Sequence, residues 1–350
     1  MDPSDICQEA FGNCWLLSAL ASLSNKHSTI ENSFVTREFN PRGKYVLRLW
    51  DSPNEKYVNV AVDDFIPVDK RTQQPAFTEN NGNEMWVMIM EKAFAKYMGS
   101  YAATEGGYSL YAMHTITGGT VNSFNFDVKA GLWQKLDMKV HRTSAEKVPD
   151  VRFFLSGKHK KLSSDAMYDL VAKYHSEGCV LAAGTSGVDN TIEEGRGKDS
   201  GIVPGHAYTI LQVYSPRLTM RSGIRLVQLR NPWGSFEWGG DWSDDSDLWK
   251  KHPAIRLEMR KFDTGDKAED DGAFYMSWDD FLRHFNNIDV CFVQRDMSSV
   301  RMDVMEEFGI CGAFVGCIVG TLKYWFCCFG LYYLWCAKSS TKQAKEMDRV

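Results

Sequence analysis

The sequence has no large excess of charge of either sign and no basic stripe. Its 40 Lys and Arg side chains nearly balance 45 Asp and Glu side chains, which leaves a formal net charge of −5. Surfaces that bind nucleic acid are normally basic, because they neutralise phosphates. The composition therefore argues against a nucleic-acid partner.

Two further patterns are missing. The first residues, MDPSDICQEAFGNC, lack the basic segment followed by an apolar segment that marks a secretory signal. No D-x-[DN]-x-[DN]-G loop occurs, so we expect no EF-hand. Without a secretory signal, the nine cysteines predict reduced thiols in a reducing compartment and not a disulfide framework.

The chain does contain enough apolar sequence for a folded core. Apolar residues make up 44% of it and charged residues 24%, which are the proportions of a globular protein and not of a disordered one. At 350 residues, we expect about two domains or subdomains.

Residues 8–23, QEAFGNCWLLSALASL, join a polar segment, a glycine turn and an apolar helix-forming run. Leu16, Leu20 and Leu23 recur at the spacing of one helix face. Cys14 would then lie at the N-terminus of a buried helix, where unpaired N–H groups favour a thiolate over a thiol. Cys14 is a candidate nucleophile, although a lone cysteine before an apolar helix is more often structural.

The coarse pattern along the chain is α+β. Alternating apolar residues predict strands over 45–68, and amphipathic spacing predicts a helix over 84–97. The second half contains further predicted strands, one beginning at His206 and one ending before Asn231. Residues 139–165 are basic and irregular in sequence, and we predict a surface insertion there. A helical first half followed by a strand-rich second half indicates an α+β fold.

Candidates for all the parts of a cysteine protease occur in the order Gln8, Cys14, His206, Asn231. Such an enzyme needs a nucleophile, a histidine base, a group that orients the imidazole and donors for the oxyanion. Gln8 could donate its amide to an oxyanion, Asn231 could orient His206, and Trp233 could shield that contact from water. Taken singly, His206 could be a core histidine and Asn231 part of a turn.

Three motifs in this order resemble the protease core of the calpains: DICQ..FGNCWLLSALASL, GHAYTIL and LRNPWGSFEWGGDWSDDS. The resemblance covers roughly residues 4–296. The details GNCW and HFNNIDVCFVQRD are more similar to the small-optic-lobes-type calpains than to the conventional ones.

The resemblance implies a papain-like core of two subdomains, the first (1–107) bearing Cys14 and the second (108–297) bearing His206 and Asn231. In that family calcium aligns the two subdomains. The resemblance therefore implies calcium-gated, limited endoproteolysis of protein substrates in the cytoplasm.

The family's cleft residues carry over position by position. Gln8 falls at the oxyanion position, and Gly107 and Gly205 fall where backbone lines the substrate cleft. Trp233 matches the tryptophan that wedges between the subdomains in the inactive state.

The family's calcium ligands carry over only in part. At the first site Asp5 and Glu84 match carboxylate ligands. Two backbone ligands of that site would precede Met1, so we expect the site to be incomplete and an N-terminal segment to be missing.

At the second calcium site Glu237, Asp244 and Asp271 match carboxylates, and Glu269 falls at a backbone ligand. Ala273 replaces one acidic ligand. Because calcium affinity follows the number of carboxylates, we expect a weakened second site. Without the motif match, these acids would be taken as a solvated face.

Residues 308–337 are largely apolar, and Lys323 is the one charged residue among them. At about 1.5 Å per residue, a helix of this length exceeds the roughly 30 Å hydrocarbon core of a bilayer. We favour a tail anchor that leaves the protease in the cytosol. Gly312, Gly316 and Gly320 are four apart, which suits close helix packing and association with a second copy.

Other interpretations of this tail stay open. The lysines after it favour the opposite orientation under the positive-inside rule. Its cysteines could be palmitoylation sites on an interfacial segment, or the segment could have no biological role. The five cysteines concerned are Cys311, Cys317, Cys327, Cys328 and Cys336.

The sequence therefore predicts a calcium-dependent cysteine endopeptidase with Ca²⁺ as its cofactor. A second hypothesis is a catalytically weak or inactive, membrane-associated calpain-like scaffold that cannot close its cleft. A third, a transglutaminase-like acyl transferase, would take an aspartate as its third residue, and Asn231 argues against it.

Overall fold

The computed structural model describes residues 1–8, 12–26, 28–80, 84–141, 148–156, 161–187, 200–214, 223–259 and 271–293. The helices within these ranges are α1 (Cys14–Ser24), α2 (Trp86–Met98), α3 (Ser109–Thr117), α4 (Ser164–Ser176), α5 (Leu248–Lys251), α6 (Pro253–Met259) and α7 (Trp278–His284). The strands are β1 (Ile6–Gln8), β2 (Lys44–Asp51), β3 (Lys56–Asp63), β4 (Thr78–Asn80), β5 (Thr120–Asp127), β6 (Leu132–His141), β7 (Asp150–Leu155), β8 (Val180–Thr185), β9 (Ala207–Tyr214), β10 (Leu226–Arg230), β11 (Ala273–Ser277) and β12 (Phe285–Phe292).

Eight of these strands form one sheet in the order β11-β10-β9-β8-β12-β5-β6-β7. All of its pairings are antiparallel. Two small antiparallel ladders, β1–β4 and β2–β3, stand apart from it. The mixture of helices with an antiparallel sheet confirms the predicted α+β class.

The large sheet is covered on both faces. Helices α1, α2 and α3 contribute to one core, which includes Trp15, and α4 and α7 contribute to the other, which includes Tyr168. Strand β8 contributes to both cores, with Val180 in the first and Leu181 in the second. Successive strand side chains point to opposite faces, so a strand buried on both sides has an unbroken apolar sequence.

Helix α1 runs in the same direction as β9. The Thr209 hydroxyl donates to the Ser18 carbonyl at 2.9 Å, and further along both elements the Asn25 side chain donates to the Leu211 carbonyl at 3.2 Å. The start of α1 and the start of β9 therefore lie at the same end of the sheet. That end carries the candidate active site.

The prediction of a surface insertion over 139–165 is wrong for the part that the structure describes. Strand β6 continues to His141, and β7 pairs with it in register, Val140 opposite Val151. Strand β7 is the last strand of the sheet. Edge strands tolerate charged residues because one side faces solvent. The charged residues of β6 and β7 therefore made this segment resemble a loop in composition. Residues 142–147 and 157–160 lie outside the described residues.

The predicted division at residues 107 and 108 stays a prediction. Residues 1–156 and 161–293 form one compact unit, and α3 contacts both α1 and the sheet strands β5 and β12. Among the helices that the structure describes, none has the length and apolar character needed to cross a bilayer. The segment 308–337, with Gly312, Gly316 and Gly320, lies outside the described residues, so its prediction is untested.

Candidate active site

Cys14 is the first residue of α1, as predicted, and it is buried with 7% of its surface exposed. The helix that follows is buried from Cys14 to Leu23. The N–H groups at the start of this helix carry partial positive charge next to Cys14.

Backbone hydrogen bonds to Thr185 hold His206 at the start of β9. Its N–H donates to the Thr185 hydroxyl at 2.9 Å, and its carbonyl accepts from the Thr185 N–H at 3.0 Å. Gly205 before it has φ +65°, a left-handed conformation that glycine adopts without a steric penalty. The backbone that carries the imidazole is therefore hydrogen-bonded to the end of β8, the neighbouring strand of the sheet.

Asn231 follows β10 and is completely buried. Its Oδ1 accepts from His206 Nε2 at 2.9 Å and from the Trp233 N–H at 3.1 Å, and its Nδ2 donates to the Phe236 carbonyl at 3.1 Å. The two backbone partners fix which end of the amide is oxygen. Because Oδ1 can only accept, His206 Nε2 carries the proton and Nδ1 carries the lone pair.

The surroundings of the imidazole are aromatic. The ring centroids of Trp233 and Tyr208 lie 4.9 and 5.1 Å from that of His206. Burial lowers the pKa of His206 to about 4, and the hydrogen bond with Asn231 opposes that shift. Among the described residues Nδ1 is buried and has no hydrogen-bond partner. The ring is thus a neutral base whose lone pair is buried at the end of the sheet where α1 begins.

Gln8 ends β1, which lies against the loop that carries Asn231. The Gln8 N–H donates to the Pro232 carbonyl at 3.0 Å, and Arg230 Nη2 donates to the Ile6 carbonyl at 3.0 Å. Gln8 is buried, with 8% of its surface exposed. The oxyanion candidate is therefore attached to the loop that carries Asn231.

Gly107 lies against the residue that follows the nucleophile. A Cβ at Gly107 would fall 2.4 Å from the Trp15 indole, too close for any side chain. The same segment donates the Gly106 N–H to the Gly12 carbonyl at 2.8 Å and accepts from Trp15 Nε1 at Thr104. Glycine is thus required where this loop passes the start of α1.

The acids predicted for the first calcium site lie on segments that contact each other. Asp5 Oδ2 accepts from Trp86 Nε1 at 2.8 Å and from the Asp2 N–H at 2.7 Å. Glu84, two residues before Trp86, is exposed. Oxygen ligands suit calcium, but Asp5 already accepts two hydrogen bonds from the protein.

The second set of acids is partly brought together. Glu237 Oε1 accepts from the Gly272 N–H at 2.7 Å, which places its carboxylate beside Asp271, and Asp244 lies in the turns before α5. Ala273 opens β11 and supplies no side-chain oxygen. Within the described residues, no three potential metal-binding side chains form a cluster, and Glu269 lies outside them. The donor chemistry fits calcium, but the described residues do not form a closed coordination shell.

Glu91 was not among the predicted site residues, and it is 2% exposed on α2. Its Oε1 accepts from Asn13 Nδ2 at 2.6 Å, next to the candidate nucleophile. Helical spacing carries the signal, because Glu91 lies three or four residues from Val87 on one side and Phe94 on the other, both completely buried. A carboxyl on the apolar face of a helix is informative because it needs a partner.

Comparison with known proteins identifies the family of this chain. The sequence model of the family described as calpain family cysteine protease matches residues 1–292. The chain therefore belongs to the calpain family of cysteine proteases, which confirms the resemblance read from the three motifs.

The chain is also similar to individual members of that family. It is 37% identical over 299 residues to the calpain-type cysteine protease DEK1 of Zea mays and to ADL1 of Oryza sativa subsp. japonica. It is 28% identical over 296 residues to calpain-9 of Rattus norvegicus. Each match covers 84% of this chain, but only 12% of the plant proteins and 37% of calpain-9.

Proposed function

We propose that this chain is a cysteine endopeptidase with Cys14 as the nucleophile, His206 as base and acid, and Asn231 as the orienting residue. The observation that carries the proposal is the 2.9 Å hydrogen bond between His206 Nε2 and Asn231 Oδ1. It leaves Nδ1 as the proton acceptor at the end of the sheet where α1 begins.

The proposed reaction begins with a neutral pair. Since burial lowers the pKa of His206 to about 4, the imidazole is unprotonated at neutral pH and Nδ1 takes the thiol proton of Cys14. The thiolate attacks the scissile carbonyl, forming the S–C bond and moving the carbonyl electron pair onto oxygen. The Gln8 side-chain amide and the Cys14 N–H would donate to that oxyanion.

Collapse of the tetrahedral species breaks the C–N bond. The proton on His206 Nδ1 passes to the leaving amine, which departs as a new amino terminus. Water then gives a proton to Nδ1 and attacks the acyl-enzyme, and the proton returns to Cys14 as the carboxyl product leaves. Asn231 keeps Nε2 protonated throughout, and the Trp233 ring shields this contact from water.

We propose calcium as the regulator, held by Glu237, Asp244 and Asp271 and, more weakly, by Asp5 and Glu84. The support is the oxygen-donor chemistry of both sets and the contact that brings Glu237 beside Asp271. Calcium would supply charge that draws the acidic loops together. Glu237→Gln should raise the calcium concentration needed for half-maximal activity severalfold, whereas Asp245→Asn, a neighbouring exposed acid, should not.

The deciding experiment is cleavage of casein by the full chain, with and without calcium, beside Cys14→Ala. Calcium-stimulated cleavage that the substitution abolishes would support both the enzyme and its regulation. Calcium-independent cleavage would retain the protease and remove the regulation. Absence of cleavage by folded protein in both conditions would favour the scaffold hypothesis.

For location we propose the cytoplasm, with attachment to a membrane through 308–337. The support is the apolar sequence of that segment alone. Deleting residues 308–350 should abolish any need for detergent in extraction. Unchanged solubility after the deletion would contradict the anchor.

A further inference from the structure

Glu91 is a buried carboxyl that no step of the proposed reaction uses. Its Oε1 accepts from Asn13 Nδ2 at 2.6 Å and from the Thr78 hydroxyl. Desolvation raises the pKa of Glu91 to about 7, against the effect of those two hydrogen bonds. Desolvation, and after it the charge of Glu91, raises the pKa of Tyr101 too. The fold keeps a carboxyl where its charge is disfavoured.

The Asn13 contact joins this carboxyl to the nucleophile. Asn13 is completely buried, directly precedes Cys14 and occupies the N-cap of α1. Its backbone carbonyl accepts from the N–H groups of Leu16 and Leu17 at 2.9 and 3.2 Å. An N-cap asparagine normally also accepts through its side chain, but in the described helix Asn13 makes no such bond. Its amide group turns to Glu91 instead.

The orientation of this amide matters for the charge next to the sulfur. Asn13 Oδ1 is buried and has no hydrogen-bond partner among the described residues. If the amide turned back to cap α1, that oxygen would place partial negative charge at the helix N-terminus. A thiolate and an oxyanion form at the same place in the proposed reaction, so the oxygen would oppose both.

We propose that Glu91 is a positioning residue for Cys14. Glu91 anchors Asn13 and thereby fixes the turn that places the nucleophile. The inference rests on the proposed protease function, in which Cys14 attacks the substrate. Glu91 touches neither substrate nor sulfur in this scheme, and it acts only through Asn13.

The test is the rate at which iodoacetamide alkylates Cys14 in the folded full chain, read by mass spectrometry of the Cys14 peptide. The buried thiols Cys179 and Cys291 serve as internal references. Glu91→Met should slow alkylation by about tenfold or more, because small misplacements of a reacting group have large effects on rate. Glu91→Gln keeps an acceptor oxygen for Asn13 and should stay within about twofold of the parent.

Non-additivity separates positioning from a general loss of packing. Asn13→Ala should slow alkylation as much as Glu91→Met, and the double variant should be no slower than either single one. Thr78→Val is the matched control, because it removes a different partner of the same carboxyl and leaves the Asn13 contact. Its rate should stay near that of the parent.

A parental rate in Glu91→Met, or losses that multiply in the double variant, would overturn the proposal. If Glu91→Met does not fold, Asn13→Ala decides: slowed alkylation supports the proposal and a parental rate overturns it. In casein cleavage, kcat should fall in Glu91→Met while KM stays unchanged. Because alkylation needs no substrate, a parent that cleaves nothing defeats the proposed function without changing this measurement.

Discussion

The two sides of the candidate active site bury ionisable groups in different surroundings. His206 lies among aromatic rings with one neutral amide, that of Asn231, as its side-chain partner. On the other side, the turn before Cys14 carries an amide, Asn13, bonded to the carboxyl of Glu91. Burial lowers the pKa of His206 to about 4 and raises that of Glu91 to about 7. One cause shifts the two pKa values in opposite directions because burial disfavours the charged form of each group.

Burial therefore favours the neutral form of both His206 and Glu91. The lowered pKa of His206 contributes stability that is present above its ordinary pKa of 6.5 and is lost as pH falls through about 4. The raised pKa of Glu91 contributes stability that is present below 4.5 and is lost as pH rises through about 7. Both groups are neutral between about pH 4 and 7.

The largest expected effect comes from removing the proposed base, His206. His206→Ala should lower kcat/KM for casein by about 10⁴-fold or more, because the thiol then has no proton acceptor. The rate of cleavage and the circular dichroism spectrum should be measured together. A folded variant that keeps a tenth of the parental rate would show that another group accepts the proton.

Removing the amide that we propose orients His206 should have the next largest effect. Asn231→Ala frees the imidazole to change tautomer, so kcat should fall by about a hundredfold or more with little change in KM. Asn231→Asp keeps an acceptor for His206 and Trp233 and should retain more activity than the alanine variant. Equal activities of the two variants in steady-state cleavage would contradict the orienting role.

The carboxyl side should be visible in the pH dependence of stability. From pH 4.5 to 7, the parent should lose on the order of 3 kcal/mol of unfolding free energy that Glu91→Gln does not lose. Denaturant unfolding of both proteins across this range measures the difference, and His206 cancels because both proteins contain it. Parallel curves would show that the Glu91 pKa is not raised.

The smallest expected effect is steric. Gly107→Ala places a Cβ 2.4 Å from the Trp15 indole, and the displacement should cost about 1–3 kcal/mol of stability. Gly239→Ala is the matched control, since its Cβ would meet no atom within 4 Å and should change stability by less than about 0.5 kcal/mol. Thermal unfolding of both variants tests whether the lost stability comes from the clash with Trp15 or from the replacement of a glycine.

Much of the fold could be predicted because its signals are local. The spacing of Leu16, Leu20 and Leu23 gave α1 with Cys14 at its start, and alternation gave the strands on either side of Asp51. His206 before a strand and Asn231 after one were likewise read from neighbouring residues. Composition misled at β6 and β7, because an edge strand carries charge as a loop does.

Residue types and local patterns were enough to predict the candidate catalytic residues and the helix or strand next to each of them. The contact between His206 and Asn231, which are 25 residues apart in the chain, and the contact between Glu91 and Asn13, which are 78 apart, required the folded structure. The folded structure also decided the pKa values, since they depend on burial and partners and not on residue type. Periodicity is a property of neighbours along the chain, whereas desolvation and hydrogen bonds arise only when distant segments pack together.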